Sequence, residues 1–363
     1  VTQLRTVQVL GGGSAGSSAH VRSLAAGLAA RGVRVTVCAP AEVDRAYDFR
    51  GAGAYHVPVP RRSDPAAVAA LRAACAGADV VHAHGVHAAV RTAIALGGMR
   101  VPLVVTWHTR AHAEGPRGRL LRLMERRAAR AAAVVLGTSS ELVDRARERG
   151  ARDARLASVA VPAPHRAADD DPENKSRAEL GAVDRPLLMA VGSLVPDKGY
   201  DTLLDAARTW RHLDPTPLVV IAGEGRERAR LQRRIEDAEL PVQLIGRRDD
   251  VSELLAAADV ALLPSRWEGR SVLAQEALRL GVPLVATAVG AVPELVGDAA
   301  ELVPYGDAAA LADAVIRLLG DPERCRELAA TGLARAASWP TEDETIAQVL
   351  SVYDELTQPQ RSH

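Results

Sequence analysis

Short runs of Val, Leu and Ala recur along this chain, and nearly all are followed by a stretch with helical apolar spacing. A strand buried on both faces reads as a continuous apolar run, and parallel strands need a crossover between them, usually a helix. In the first half such runs fall at Thr6–Leu10, Val33–Cys38, Asp79–Ala83, Val101–Trp107, Ala133–Gly137 and Ala157–Val161. Helical spacing follows at His20–Arg31, Pro65–Ala76, Arg117–Arg130 and Glu141–Arg149. The second half repeats the alternation, with strands at Leu187–Val191, Leu218–Ala222, Val242–Leu244, Val260–Pro264 and Pro283–Ala286. Its helices read Asp201–Trp210, Arg226–Ala238, Asp250–Ala257, one entered at Ser271, then Pro293–Val296, Ala308–Leu319, Pro322–Ala336 and Glu342–Thr357. Alternation of this kind predicts the α/β class, with parallel sheets covered by helices.

The alternation stops at Pro162-Ala163-Pro164 and Asp169–Asn174, a proline- and acid-rich stretch that reads as an exposed linker. With 363 residues, more than one core usually fills, two doubly wound domains are expected, 1–172 and 173–338. Aromatics are only 3% of the chain, so Ala, Val and Leu must build both cores. Net charge is zero, yet residues 1–172 carry 24 Lys+Arg against 14 Asp+Glu, and residues 173–363 carry the opposite excess. No nucleic-acid partner is expected; the sharper reading of the asymmetry is a basic first half facing an anionic acceptor or membrane surface. The basic half concentrates at Arg117–Arg130, where six arginines surround Leu120, Leu121, Leu123 and Met124. That stretch reads either as a solvated helix face or as peripheral contact with an anionic membrane. Lys175 and Lys198 are the only lysines beside 43 arginines, a bias expected of a GC-rich bacterial genome. Cys38, Cys75 and Cys325 show neither metal nor disulfide spacing, and no run is long enough to span a bilayer. A cytoplasmic protein, free or at the inner membrane face, is expected.

Chemistry concentrates where strand gives way to helix. In a parallel sheet, ligands bind beyond the carboxyl ends of the strands, and a helix start offers unpaired N–H groups to phosphate. Glu268 and Glu276 stand eight residues apart around such a start, roughly 12 Å if helical, enough to bracket a diphosphate. Gly11-Gly12-Gly13-Ser14-Ala15-Gly16 formally matches the dinucleotide fingerprint, but the second strand ends at Cys38 with no acid for a ribose. A glycine loop meeting some other phosphate or sugar fits better. His82, His84 and His87 invite a metal reading, yet no carboxylate or cysteine stands near, so they read as strand-end loop residues and no metal is expected. His108, at the end of another strand, is placed to point into a ligand crevice.

Taken in order, several segments resemble retaining glycosyltransferases of family 4, across essentially the whole chain. They are Gly11-Gly12-Gly13, Asp79–His84, Thr106–Thr109, Val191–Gly199, Ile221–Gly225, Gly246–Val251, Glu268 with Glu276, and Gly281-Val282-Pro283. The resemblance implies the GT-B fold, two Rossmann-like domains facing across a cleft, with the segment 339–357 crossing back to the first. It implies a nucleotide-sugar donor, no cofactor, and an acceptor hydroxyl on a small molecule, glycan or lipid-linked carrier. Glu268 would accept hydrogen bonds from the transferred sugar and Glu276 from the ribose. Gly269, Arg270, Ser271 and Val272 would present backbone N–H groups to the diphosphate, and Lys198 would charge-balance the leaving phosphate. His108 would touch the sugar, Gly246 and Arg247 would lie near the base, and Gly12 and Gly13 would line the site. Ser193 departs from the arginine usual there, so Arg270 or Arg266 is expected to supply the missing cation, and Ala291 replaces a second glycine. Two alternatives stay open, a binding-only relative and a nucleotide-sugar epimerase.

Overall fold

The computed structural model describes residues 3–11, 15–61, 64–110, 115–157, 159–160 and 172–358. The chain divides into two compact units, Val1–Pro162 with Pro340–His363, and Ala163–Trp339. The first runs β1 (Arg5–Leu10), α1 (Ala15–Ala30), β2 (Arg34–Ala39), α2 (Ala41–Tyr47), β3 (Tyr55–Pro58), α3 (Pro65–Cys75), β4 (Val80–His84), α4 (Val86–Ala95), β5 (Leu103–Trp107), α5 (Gly115–Ala131), β6 (Val134–Gly137), α6 (Ser140–Glu148) and β7 (Ala154–Leu156). The second runs α7 (Pro172–Leu180), β8 (Leu187–Val191), α8 (Tyr200–Trp210), β9 (Leu218–Ala222), α9 (Arg228–Asp237), β10 (Val242–Gly246), α10 (Val251–Ala256), β11 (Val260–Leu263), α11 (Val272–Leu280), β12 (Leu284–Thr287), α12 (Val292–Val296), β13 (Glu301–Val303), α13 (Ala308–Gly320) and α14 (Pro322–Ala337). A last helix, α15 (Glu342–Thr357), returns to the first unit.

Both sheets are wholly parallel, as the alternation predicts. Their orders are β3-β2-β1-β4-β5-β6-β7 and β10-β9-β8-β11-β12-β13. Each reverses direction once, between β1 and β4 and between β8 and β11, and each reversal opens a crevice at the strands' carboxyl ends. In the second sheet Leu188 and Ala190 face one core while Leu187 and Met189 face the other, so helices cover both sides.

In the first sheet, register puts Gln8 beside His82 and Leu10 beside His84, with Thr106 beside His84 from β5. Ile346, Val349, Val352 and Tyr353 of α15 cover that face together with Leu24 and Leu28 of α1. A polar row from three strands is thereby shut beneath two helices.

Some elements differ from expectation for identifiable reasons. The strand expected at Ala157–Val161 lies earlier, at Ala154–Leu156. It is an edge strand holding Arg155, which pairs with Asp153 and Glu355, so apolar content points to the wrong residues. His82 and His84 are inside β4 and buried, not in a loop. Pro172–Leu180 is a helix packed on α10, so part of the expected linker belongs to the second unit; residues 161–171 lie outside the described residues.

Candidate active site

Two loops meet at the reversal of the second sheet. After β8 the chain makes a tight turn at Pro196–Lys198, and after β11 it runs from Pro264 to the start of α11. Gly199 lets them close. Its φ is +68°, and a Cβ there would sit 1.9 Å from the Pro264 carbonyl oxygen. The Arg266 N–H donates to the Asp197 carbonyl at 2.8 Å, fastening the same two loops.

Their side chains then meet. Lys198 Nζ donates to Glu268 Oε1 at 2.5 Å, and Ser265 Oγ donates to the same oxygen at 2.7 Å. Glu268 is 9% exposed, and its Oε2 has no partner among the described residues. A buried carboxylate with two charge-strengthened bonds on one oxygen is held in one orientation and presents the other oxygen as an acceptor. Beneath it, the Tyr200 hydroxyl donates to the Gly192 carbonyl at 3.1 Å; burial, and then the Glu268 charge, push that hydroxyl well above its usual range. Behind it, the Ala291 N–H donates to the Glu268 carbonyl at 2.9 Å. Ala291 has φ −88°, open to any residue, so its replacement of glycine introduces no strain.

Ser271 caps α11 by accepting from the Ala274 N–H at 3.3 Å. The helix dipole therefore ends at Gly269–Val272, with Val272 exposed. One turn on, Glu276 is half-buried, with Ser252 Oγ donating to Oε1 at 3.4 Å; burial raises its carboxyl above the usual value. Gly246 ends β10 and accepts from the Gly223 N–H at 2.7 Å, and the exposed Arg247 follows it.

Arg270 is turned elsewhere. Its Nε donates to Gln275 Oε1 at 3.2 Å, and its guanidinium lies 5.7 Å from the Trp339 ring centre, with Arg279 at 5.6 Å from the same ring. Burial, then the Arg279 charge, bring it down to about 10. The structure thus brings Lys198, Glu268 and Ser265 together. It leaves the exposed Ser193 without Arg270 beside it among the described residues.

In the first unit, His108 is half-buried just past β5, with Nε2 3.2 Å from His84 Nδ1. Gly12 and Gly13 lie outside the described residues. The ring nitrogens of His82 are taken by the Tyr353 hydroxyl at 2.7 Å and Thr106 Oγ1 at 2.6 Å, an arrangement that satisfies the ring without a metal.

Two family models match, a glycosyl transferase 4-like domain over residues 15–162 and glycosyl transferases group 1 over residues 172–335. The D-inositol 3-phosphate glycosyltransferase of Xylanimonas cellulosilytica is 33% identical over 318 residues, 77% of this chain and 72% of that protein. The chain belongs to the family 4-like glycosyltransferases. A GDP-mannose-dependent monoacylated alpha-(1-6)-phosphatidylinositol monomannoside mannosyltransferase of Corynebacterium glutamicum is 35% identical, over 49% of this chain and 51% of that protein. The chain thus spans about half the length of that relative. Among solved structures, Anabaena Alr3699/HepE in complex with UDP and glucose superposes with a TM-score of 0.85 at 20% identity, covering 97% of this chain and all of that one. At that identity the likeness shows the fold, GT-B.

Within this family 4-like chain, sequence reasoning missed Ser265 and Ser252, which hydrogen-bond Glu268 and Glu276, and Tyr200, which holds the Gly192 carbonyl. Ser265 was findable, since it stands two residues past β11 at the reversal. Ser252 and Tyr200 stand far in sequence from Glu276 and Glu268, and nothing local marks them.

Proposed function

We propose that the chain is a retaining glycosyltransferase that moves a sugar from a nucleoside-diphosphate sugar to an acceptor hydroxyl. The supporting observation is the fixed Glu268 carboxylate beside Lys198, set at the start of a capped helix on the sheet reversal. Oε2 of Glu268 accepts from a sugar hydroxyl. Lys198 leaves its ion pair for the diphosphate, and the N–H groups at Gly269–Val272 take the remaining charge. Glu276 accepts from the ribose diol, His108 accepts from a sugar hydroxyl, and Gly246 and Arg247 border the base.

In the step itself, the bond from the anomeric carbon to the phosphate oxygen loosens as the acceptor oxygen attacks on the same face. The acceptor proton passes to the departing phosphate oxygen, giving glycoside and nucleoside diphosphate. Lys198 and the α11 dipole stabilise the charge that builds on the leaving group, so the step needs neither metal nor cofactor. The acceptor is a small molecule, a glycan or a lipid-linked carrier. Contact with an anionic membrane, at the cytoplasmic face, runs through α5. Six arginines there flank Leu120 and Leu123, which are 58% and 63% exposed. Exposed leucines among cations favour an interface over plain solvent.

Incubation with uridine-, guanosine- and adenosine-diphosphate sugars, following nucleotide release and the anomer of any product, tests this reading. Slow release that disappears in Glu268→Gln supports it. Binding without turnover across the panel, or an inverted product, overturns it. Sedimentation with anionic vesicles, reversed by salt, tests the α5 contact; no sedimentation at low salt removes it.

A further inference from the structure

The first unit holds four imidazoles in one group, and the proposed reaction uses only His108. His82 and His84 stack at 4.3 Å between ring centres, His84 and His108 at 5.5 Å, and His20 closes edge-on at 5.4 Å from His108. Burial brings His82 down to about 3 and His20 to about 4, and holds His84 and His108 well below the usual imidazole range. Each ring is therefore neutral near neutral pH and carries one N–H. The hydrogen-bond partners then decide which nitrogen bears it.

Gln8 sits at the centre of the chain of bonds. Its Nε2 donates to the Tyr353 hydroxyl at 2.9 Å, which leaves the phenolic proton for His82 Nδ1 at 2.7 Å. His82 then bears its proton on Nε2 and donates it to Thr106 Oγ1 at 2.6 Å. On the other side, Gln8 Oε1 can only accept, so His84 bears its proton on Nε2, 3.0 Å away. His84 Nδ1 is thereby bare and takes the N–H of His108 Nε2 at 3.2 Å. What remains is His108 Nδ1, a lone pair with no partner among the described residues. Turning the Gln8 amide over would reverse every proton in the row and make that nitrogen a donor.

We infer that Gln8, His84 and Tyr353 are positioning residues that hold His108 as its Nε2–H tautomer and present Nδ1 as a hydrogen-bond acceptor for a donor-sugar hydroxyl. The hydroxyl part rests on the role proposed above for His108; the tautomer does not. A bare Nδ1 accepts from a hydroxyl and repels a phosphate oxygen or carboxylate, so the row selects what this histidine can contact. The hydroxyl of Tyr353, on the last helix, ties that choice to the docking of α15 on the sheet.

Full-length protein with nitrogen-labelled histidine, observed by long-range proton–nitrogen correlation at neutral pH, reads the tautomer directly; His108→Asn assigns the ring. The expected spectrum has His108 Nε2 protonated and Nδ1 unprotonated, and a protonated Nδ1 overturns the inference. In Tyr353→Phe the Gln8 amide loses its partner and is free to turn. The His108 nitrogens should then shift toward a mixture, and turnover should fall about tenfold with donor KM unchanged. A lower melting temperature with unmoved His108 resonances would mean a merely structural tyrosine and would also overturn it. Gln8→Met serves as a second variant if Tyr353→Phe does not fold. If His108→Ala leaves turnover and donor KM intact while the wild-type tautomer is as expected, the sugar contact falls and the tautomer assignment stands.

Discussion

Lys198 and Glu268 satisfy one another, which on the proposed reading sets what a donor must do to enter. On that reading a diphosphate has to draw Lys198 away from a carboxylate 2.5 Å off and only 9% exposed. The two variants should therefore diverge. Lys198→Met removes the cation, and affinity for uridine or guanosine diphosphate should fall about 10- to 100-fold, the range for a bond to a charged group. Glu268→Gln releases the lysine, so the same diphosphate should bind at least as tightly while turnover is lost. Calorimetry on both variants checks this; equal weakening in the two would mean that the pair acts as one structural unit. Glu276 carries a pH signature. Burial raises its carboxyl in the folded chain, so the folded state holds that proton more tightly than the unfolded one. That contribution is present at low pH and is lost as pH rises through the raised value. Glu276→Gln should then raise the melting temperature by about 2 °C near neutrality and by nothing near pH 4, while weakening nucleotide binding. At this scale the residue types were legible, and side-chain direction was not. The proposed substitute cation, Arg270, follows Glu268 closely in sequence, yet it stacks on Trp339, which no local pattern links to it.

The elements around the site depend on close backbone approach. Gly199→Ala would force a Cβ against the Pro264 carbonyl at a φ of +68°, and neither loop can yield without moving Lys198 or Glu268. The expected loss is about 2–4 kcal/mol in urea unfolding, together with weaker diphosphate binding. Full stability in this variant would show that the loops are not clasped there. The strand–helix alternation that defines both sheets was readable because buried parallel strands have no polar alternation to blur them. Reading failed where that condition lapses. β3 is Tyr55–Pro58, half-exposed at a sheet edge, and β13 is Glu301–Val303, whose leucine is 37% exposed. Neither presents an apolar run. α4 went unread as a helix because its start, Val86 onward, follows the histidines, which suggested a loop.

For the whole molecule, the telling feature is a helix that follows the second unit in sequence and completes the first unit's core. Gly27 makes room for it on α1. A Cβ at Gly27 would lie 2.0 Å from Ile346 Cδ1, so the two helices interlock at that point. Alanine would ordinarily be favoured over glycine inside a helix by about 0.8–1 kcal/mol. Here the clash should reverse that sign, and Gly27→Ala should destabilise by about 1–3 kcal/mol. Ile346→Ala alone empties the socket and should cost about 2–5 kcal/mol. Together the two should cost clearly less than their sum, because the new methyl fills space the isoleucine vacates. Urea unfolding of the four proteins in the cycle measures the difference. Additive losses would mean that α15 is held by Val349, Val352 and Tyr353 rather than by this lock. In the non-additive case, Gly27→Ala should also shift the His108 nitrogen resonances toward a mixture, since α15 can no longer hold the Tyr353 hydroxyl against Gln8 and His82, and Ile346→Ala should restore them.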